Sequence, residues 1–138
     1  MSIYEELYEK ILKYYTANGY KVHQEEKDKY TKVIGVESLG LNSDMLALEF
    51  DTNNNVLEIL FLHKIKGLDE LVVYKNVNEA NLVIDDGVII YSDNTLILRS
   101  IYNDNEPVTL KHVLANITYL QIVATSYFAS IISLAQPK

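Results

Sequence analysis

The chain contains no cysteine and no tryptophan, and only two prolines and five glycines are spread over its 138 residues. Without cysteine there is no disulfide framework and no thiolate chemistry. The five glycines form no phosphate-cradling loop, and no serine occupies a G-x-S-x-G elbow. Positive charge is scarce as well. Twelve Lys and Arg face nineteen Asp and Glu, for a net charge of −7 and a pI of about 4.9. That balance opposes long-range attraction to nucleic acid or anionic lipid, so neither is expected as a partner. It suits a chain that meets a basic protein. One further absence is local: Val113 to Ala135, VLANITYLQIVATSYFASIISLA, holds no charged residue.

What is present describes an ordinary globular domain. Hydrophobic residues make up 49% and charged residues 22%, enough to bury a core within a single domain spanning 1–138. The N-terminus, MSIYEELYEK, carries acids where a secretion signal needs a basic start and an apolar core, so the expected compartment is the cytoplasm. The many Asn, Ile, Lys and Tyr residues match the composition of an AT-rich bacterial or phage genome.

Ser2 to Ala17 is expected to be a helix. Ser2 and Glu5 form a capping box, Glu6–Lys10 and Glu9–Lys13 are favourable i, i+4 pairs, and Asn18-Gly19 stops it. Glu25 to Lys29 is a charged stretch expected as a loop or a weak strand end. Strands are expected at Tyr30–Glu37, Met45–Asp51 and Val56–His63, the last two joined by an Asn-rich turn. In the second, Leu46, Leu48 and Phe50 share one face. Gly67 to Asn81 is ambiguous: Leu71 to Tyr74 alone would suit a strand, but Leu68, Leu71, Val72 and Lys75 fit helical spacing, and a helix is favoured. A second hairpin is expected from Val83–Tyr91 and Thr95–Tyr102, with a bend or bulge at Asp85-Asp86-Gly87. A polar loop at Asn103 to Pro107 precedes a long final helix capped by Thr109. The resulting fold class is α+β: an N-terminal helix, a mainly antiparallel sheet of about five strands, a short middle helix and a long C-terminal helix packed on the sheet.

The uncharged stretch is long enough to span a bilayer, but its polar residues are ordered. Leu110, Val113, Leu114, Ile117, Leu120, Ala124, Tyr127, Phe128, Ile131 and Leu134 recur at spacings of three and four. His112, Asn116, Tyr119, Val123, Ser126, Ser130 and Ser133 fall opposite. That is an amphipathic core helix rather than a membrane anchor. Its back lacks the Lys and Glu of a typical surface helix. Either the back is internal to its own domain, or another chain covers it. In the second case Tyr119, Ile122, Val123, Ser126 and Ser130 form a protein interface, and a two-fold dimer would set the helix against its own copy.

No cofactor, metal or catalytic set is expected. Asp51-Thr-Asn53-Asn-Asn55 begins like a calcium loop, but Val56 replaces the required Gly and Leu62 the bidentate Glu. His23, His63 and His112 lie on separate elements without ligand spacing. Asp85-Asp86-Gly87 reads as turn chemistry more readily than as a carboxylate pair.

The second half of the chain carries a resemblance. Residues 73–81, VYKNVNEAN, are followed by LVIDDGVIIY and then by NTLILRSIYNDNEPVTLKHV. A helix ending in an Asn-containing stretch, a strand, an acidic-Gly turn, a strand, a polar loop and a closing helix resemble the YbjN-like family within the type III secretion chaperone-like fold. That resemblance implies a small, acidic, cytoplasmic, non-enzymatic protein-binding module, chaperone-like or regulatory, acting as a homodimer. The alternative is a small acidic immunity or phage-encoded inhibitor that neutralises a basic partner, with its encounter speeded by charge.

Overall fold

The computed structural model describes residues 2–40, 43–102 and 105–137. Its elements run α1 (Ile3–Ala17), β1 (Val22–Glu26), β2 (Thr31–Gly40), β3 (Ser43–Asp51), β4 (Val56–Lys64), α2 (Glu70–Asn81), β5 (Val88–Ser92), β6 (Thr95–Ile101) and α3 (Leu110–Ala135). The class is α+β. The six strands form one sheet in the order β1-β2-β3-β4-β6-β5, and every pairing is antiparallel.

Each helix begins on a side chain that satisfies orphan amides. Ser2 Oγ accepts from the Glu5 amide at 3.1 Å, Asp69 from Leu71 and Val72, and Thr109 Oγ1 from His112. α1 ends with Gly19 at φ +81°. There the Tyr20 amide donates to the Tyr15 carbonyl and the Gly19 amide to Thr16. The Tyr15 and Tyr20 rings meet at 5.4 Å, the apolar contact that accompanies this helix ending.

Period-two alternation sends one set of strand side chains to a common core. Val36, Leu46, Phe61, Leu98 and Ile89 form one cross-strand row, and Ile34, Leu48 and Ile59 the next. All are fully or almost fully buried. The helices cover this face: α1 lies against β1 and β3, α3 crosses β2 to β4, and α2 lies on β5 and against α3. α3 contributes Val113, Ile117, Leu120, Ala124, Phe128, Ile131 and Ala135. Five tyrosines, Tyr4, Tyr8, Tyr15, Tyr91 and Tyr102, are core residues too.

Several expectations need correction. The sheet has six strands rather than about five. β1 was hidden because it is an edge strand with only Val22 half-buried and four exposed polar residues after it, so no alternation marks it. β5 begins at Val88, not Val83; residues 82–87 turn instead of pairing. At Gly87 a Cβ would stand 2.5 Å from the Arg99 carbonyl oxygen, so only glycine lets the chain enter the sheet there. In α3 the buried stripe steps from Ile131 by four to Ala135, which leaves Leu134 63% exposed. Leu114 sits one residue round from the buried Val113 and is only half-buried. The polar loop expected at 103–107 lies partly outside the described residues.

The ambiguous segment resolves as α2. Val73, Val77 and Ala80 face the core, while Leu71 and Tyr74 point to solvent. The 93–94 turn has Asp93 at φ 50° and Asn94 at φ 56°, the two left-handed residues of a tight hairpin.

Candidate functional site

The outer face of α3 is the site singled out in the sequence. Thr109 caps the helix and the seven-residue buried stripe fixes its rotation, so the opposite ridge must point outward. Ile122 is 65% exposed and Tyr119 49%. Ser126 and Ser130 are exposed beside them. Val123 is a correction: it is half-buried and packs against the domain's own core, because it lies next to the buried Ala124 rather than diametrically opposite. Tyr119 is also tied down. Its hydroxyl donates to Asp86 Oδ2 at 2.7 Å, and that hydrogen bond, ahead of the carboxylate's charge, raises the phenol above its ordinary pKa. The outward apolar ridge is therefore narrower than the sequence pattern: Ile122 with Thr118, Gln121, Thr125 and Ser126 around it.

By length and composition α3 could cross a membrane. In the fold its apolar stripe is packed on the sheet, while most of the apolar window stays at the surface, 28% of it being buried.

Asp85 and Asp86 line a cleft of about 560 Å³ together with Glu106, Arg99, Asn116 and Leu120. The Asp86 side chain receives Tyr119, and its backbone carbonyl accepts the Ser100 hydroxyl at 2.6 Å. Those contacts hold the 82–87 turn to β6 and α3. The arrangement offers an acidic concavity for a cationic group.

The other candidates are structural. Asp51 accepts from the Asn53 and Asn54 amides at 3.0 Å and from Asn54 Nδ2 at 2.8 Å. The Asn54 bonds come first in holding its carboxyl below the usual range. This is an Asx turn, with Asn55 at φ 56°. His23 pairs with Glu37, His63 stacks on Phe128 beside Asp44, and His112 bonds Thr109. Among the described residues no three His, Asp or Glu side chains gather as a metal site.

One residue had no role assigned from the sequence. The Asn81 side-chain amide donates to the Ile89 carbonyl at 2.9 Å and accepts from the Ile89 amide at 2.8 Å. It imitates a neighbouring strand and occupies the free edge of β5. Its place in the quoted Asn-containing stretch was the available signal, but that role depends on a strand eight residues later.

No family model matches this chain, and no curated protein or solved structure matches it either.

Proposed function

We propose that this chain is a non-enzymatic protein-binding module, chaperone-like or regulatory, that works as a dimer in the cytoplasm. The observation that carries the reading is the uncharged outer ridge of α3, with Ile122 65% exposed in a chain of net charge −7. From Val113 to Ala135 the solvent-facing surface of α3 carries no Lys or Glu; such a surface is stable in isolation only at a cost in solubility, and a partner's surface removes that cost. The element order also supports it: a helix, antiparallel strands, a middle helix, a closing hairpin and a long helix follow the order of the YbjN-like resemblance, with four strands instead of three before the middle helix.

The acidic cleft of Asp85, Asp86 and Glu106 favours a second reading, an inhibitor or immunity protein that neutralises one basic partner. Affinity capture from cells of the source organism separates the two. The wild-type chain and Ile122→Lys are used as baits. Several proteins retained by the wild type and lost with Ile122→Lys support the module reading. A single basic protein supports the inhibitor. The same proteins on both baits would remove α3 as the binding surface. Recovery of the intact chain without detergent is expected; recovery only from membranes would overturn the cytoplasmic assignment.

A further inference from the structure

The sheet has a second face, and none of the described helices covers it. Along β4, β5 and β6 buried residues alternate with half-exposed or exposed ones, so one side is closed and the other open. The open side is apolar towards β4, β6 and β5. Leu62, Ile97 and Ile90 form one cross-strand row, and Leu60 lies in the next with Val88 two strands away. Val88 is 52% exposed and Ile101 58%. Beside them Gly35 and Ala47 sit in register, and Met45 Sδ and His23 Cβ lie 3.6 and 3.7 Å from where a Cβ on Gly35 would stand. We infer that this open sheet face is where a second copy of the chain packs, sheet against sheet.

Charge selects that occupant. Three acid–base pairs lie on the open face. Lys21 reaches Glu37 at 3.4 Å and Lys27 reaches Glu49 at 3.0 Å, while Arg99 Nε donates to Glu58 at 3.1 Å. Glu37 is held below the usual carboxylate range by His23 first and Lys21 second. With Lys64, Glu25 and Asp51 the face holds four cationic and five anionic side chains, against twelve and nineteen in the whole chain. Six of the seven net negative charges therefore lie elsewhere. Two copies repel each other over the rest of their surfaces, but not here. At the β5 edge Val88, Ile90, Arg99 and Ile101 also line the cleft of Asp85, Asp86 and Glu106, so a basic partner is drawn to that border, whereas over β2 to β4 each acid–base pair is satisfied internally.

Area agrees. Six strands about 4.8 Å apart, averaging about 25 Å in length, make a plane on the order of 700 Å² before side-chain relief is added. A standard interface needs about 800 Å² per partner. Face-to-face sheets pack about 10 Å apart, a spacing that medium aliphatic side chains such as Leu60, Leu62, Ile97 and Ile90 can fill. The α3 ridge, with Val123 packed inward and Tyr119 tethered, is much narrower. The inference rests on the dimeric part of the proposed function, but its test does not depend on capturing a partner.

The experiment is the solution mass by light scattering over a range of concentrations for the wild type, Ile90→Lys and Ile122→Lys. Ile90 is 37% exposed on the edge strand β5, so lysine there preserves the fold; circular dichroism checks this, and Val88→Lys replaces it if β5 is disturbed. The expected result is a wild-type dimer whose mass halves with Ile90→Lys and is unchanged with Ile122→Lys. A monomeric wild type at high concentration overturns the inference and leaves partner capture as a separate matter. Halving with Ile122→Lys alone also overturns it and assigns the dimer to α3. A dimer that survives both substitutions places the contact elsewhere and likewise overturns it.

Discussion

The two faces of the sheet are built from the same strands and have opposite chemistry. On the helix-covered face Phe50, Phe61, Leu48 and Ile59 are fully buried, and tyrosines fill the space beneath α1 and α2. On the open face the described strand positions hold no phenylalanine or tyrosine; they hold medium aliphatics, Gly35, Ala47 and cross-strand ion pairs. The closed face gains stability from volume, because large rings bury the most apolar area. The open face keeps the sheet soluble through paired charges while retaining aliphatic area. A face intended only for water would have used Lys, Glu and Thr throughout, as antiparallel sheets with one solvated side commonly do. The difference is what the proposed sheet-to-sheet contact would use.

The largest contrast should appear in core truncations. Leu120 is 1% exposed, and Leu120→Ala should cost about 2–5 kcal/mol through lost burial and a residual cavity. Val88→Ala on the open face should change the stability of dilute protein by no more than about 0.5 kcal/mol. Urea denaturation of both variants tests the pair. Equal losses would mean that the two faces are not energetically distinct.

The closed face should also fail first in alkali. Burial is the main reason that Tyr15, Tyr8 and Tyr102 are raised above pH 10, and Tyr91 is raised by burial and then by Glu70. In the unfolded chain these phenols ionise near pH 10. Above that pH the unfolded state sheds protons that the folded state still holds, so stability is intact below about pH 10 and falls as pH rises towards the folded values. Denaturant midpoints should drop steadily across that window. Constant midpoints would contradict the burial of these hydroxyls.

At the sheet's edge the expected effect is smaller. Asn81→Ala removes two hydrogen bonds from the β5 edge and should cost about 1–3 kcal/mol. It should also expose an unpaired strand edge, so aggregation on storage should increase. Asn81→Asp keeps the acceptor but loses the donor, and should be intermediate. If all three proteins behave alike, the edge does not need this cover.

Much of the closed face was legible in the sequence. The alternation of Leu46, Leu48 and Phe50 and the spacing of Ile117, Leu120, Ala124, Phe128 and Ile131 are local patterns, and burial rewards them directly. The capping residues Ser2 and Thr109 were legible for the same reason. β1 was not, since its hydrogen bonds to β2 stabilise residues whose side chains bury almost nothing. The start of β5 depended on contact between Gly87 and Arg99 across the sheet, which no local window contains. The α3 ridge was partly legible. Ile122, Ser126 and Ser130 do face outward, but Val123 lies on a flank that the helix pattern alone placed at the back. The open face was not legible because no local pattern marks it. Its composition emerges only when the register sets Leu60, Leu62, Ile97 and Ile90 side by side.

The smallest effect gives the sharpest test of the contrast between the faces. The Arg99–Glu58 pair has side chains 48% and 20% exposed. In an open monomer such a pair is worth roughly 0.2–1 kcal/mol, because water screens it and ordering two long side chains costs entropy. Glu58→Gln should therefore lower the stability of dilute monomer by less than about 1 kcal/mol. A second copy packed on the face changes the balance. Arg99 would then be withdrawn from water without its carboxylate, and an unpaired buried charge costs several times more than the exposed pair is worth. Self-association of Glu58→Gln should weaken by roughly tenfold or more, and Glu58→Gln/Arg99→Met should recover most of it, since neither charge is left behind. Sedimentation equilibrium measures both. If Glu58→Gln associates as the wild type does, Arg99 remains in water in the dimer, and the two faces differ in composition without differing in what covers them.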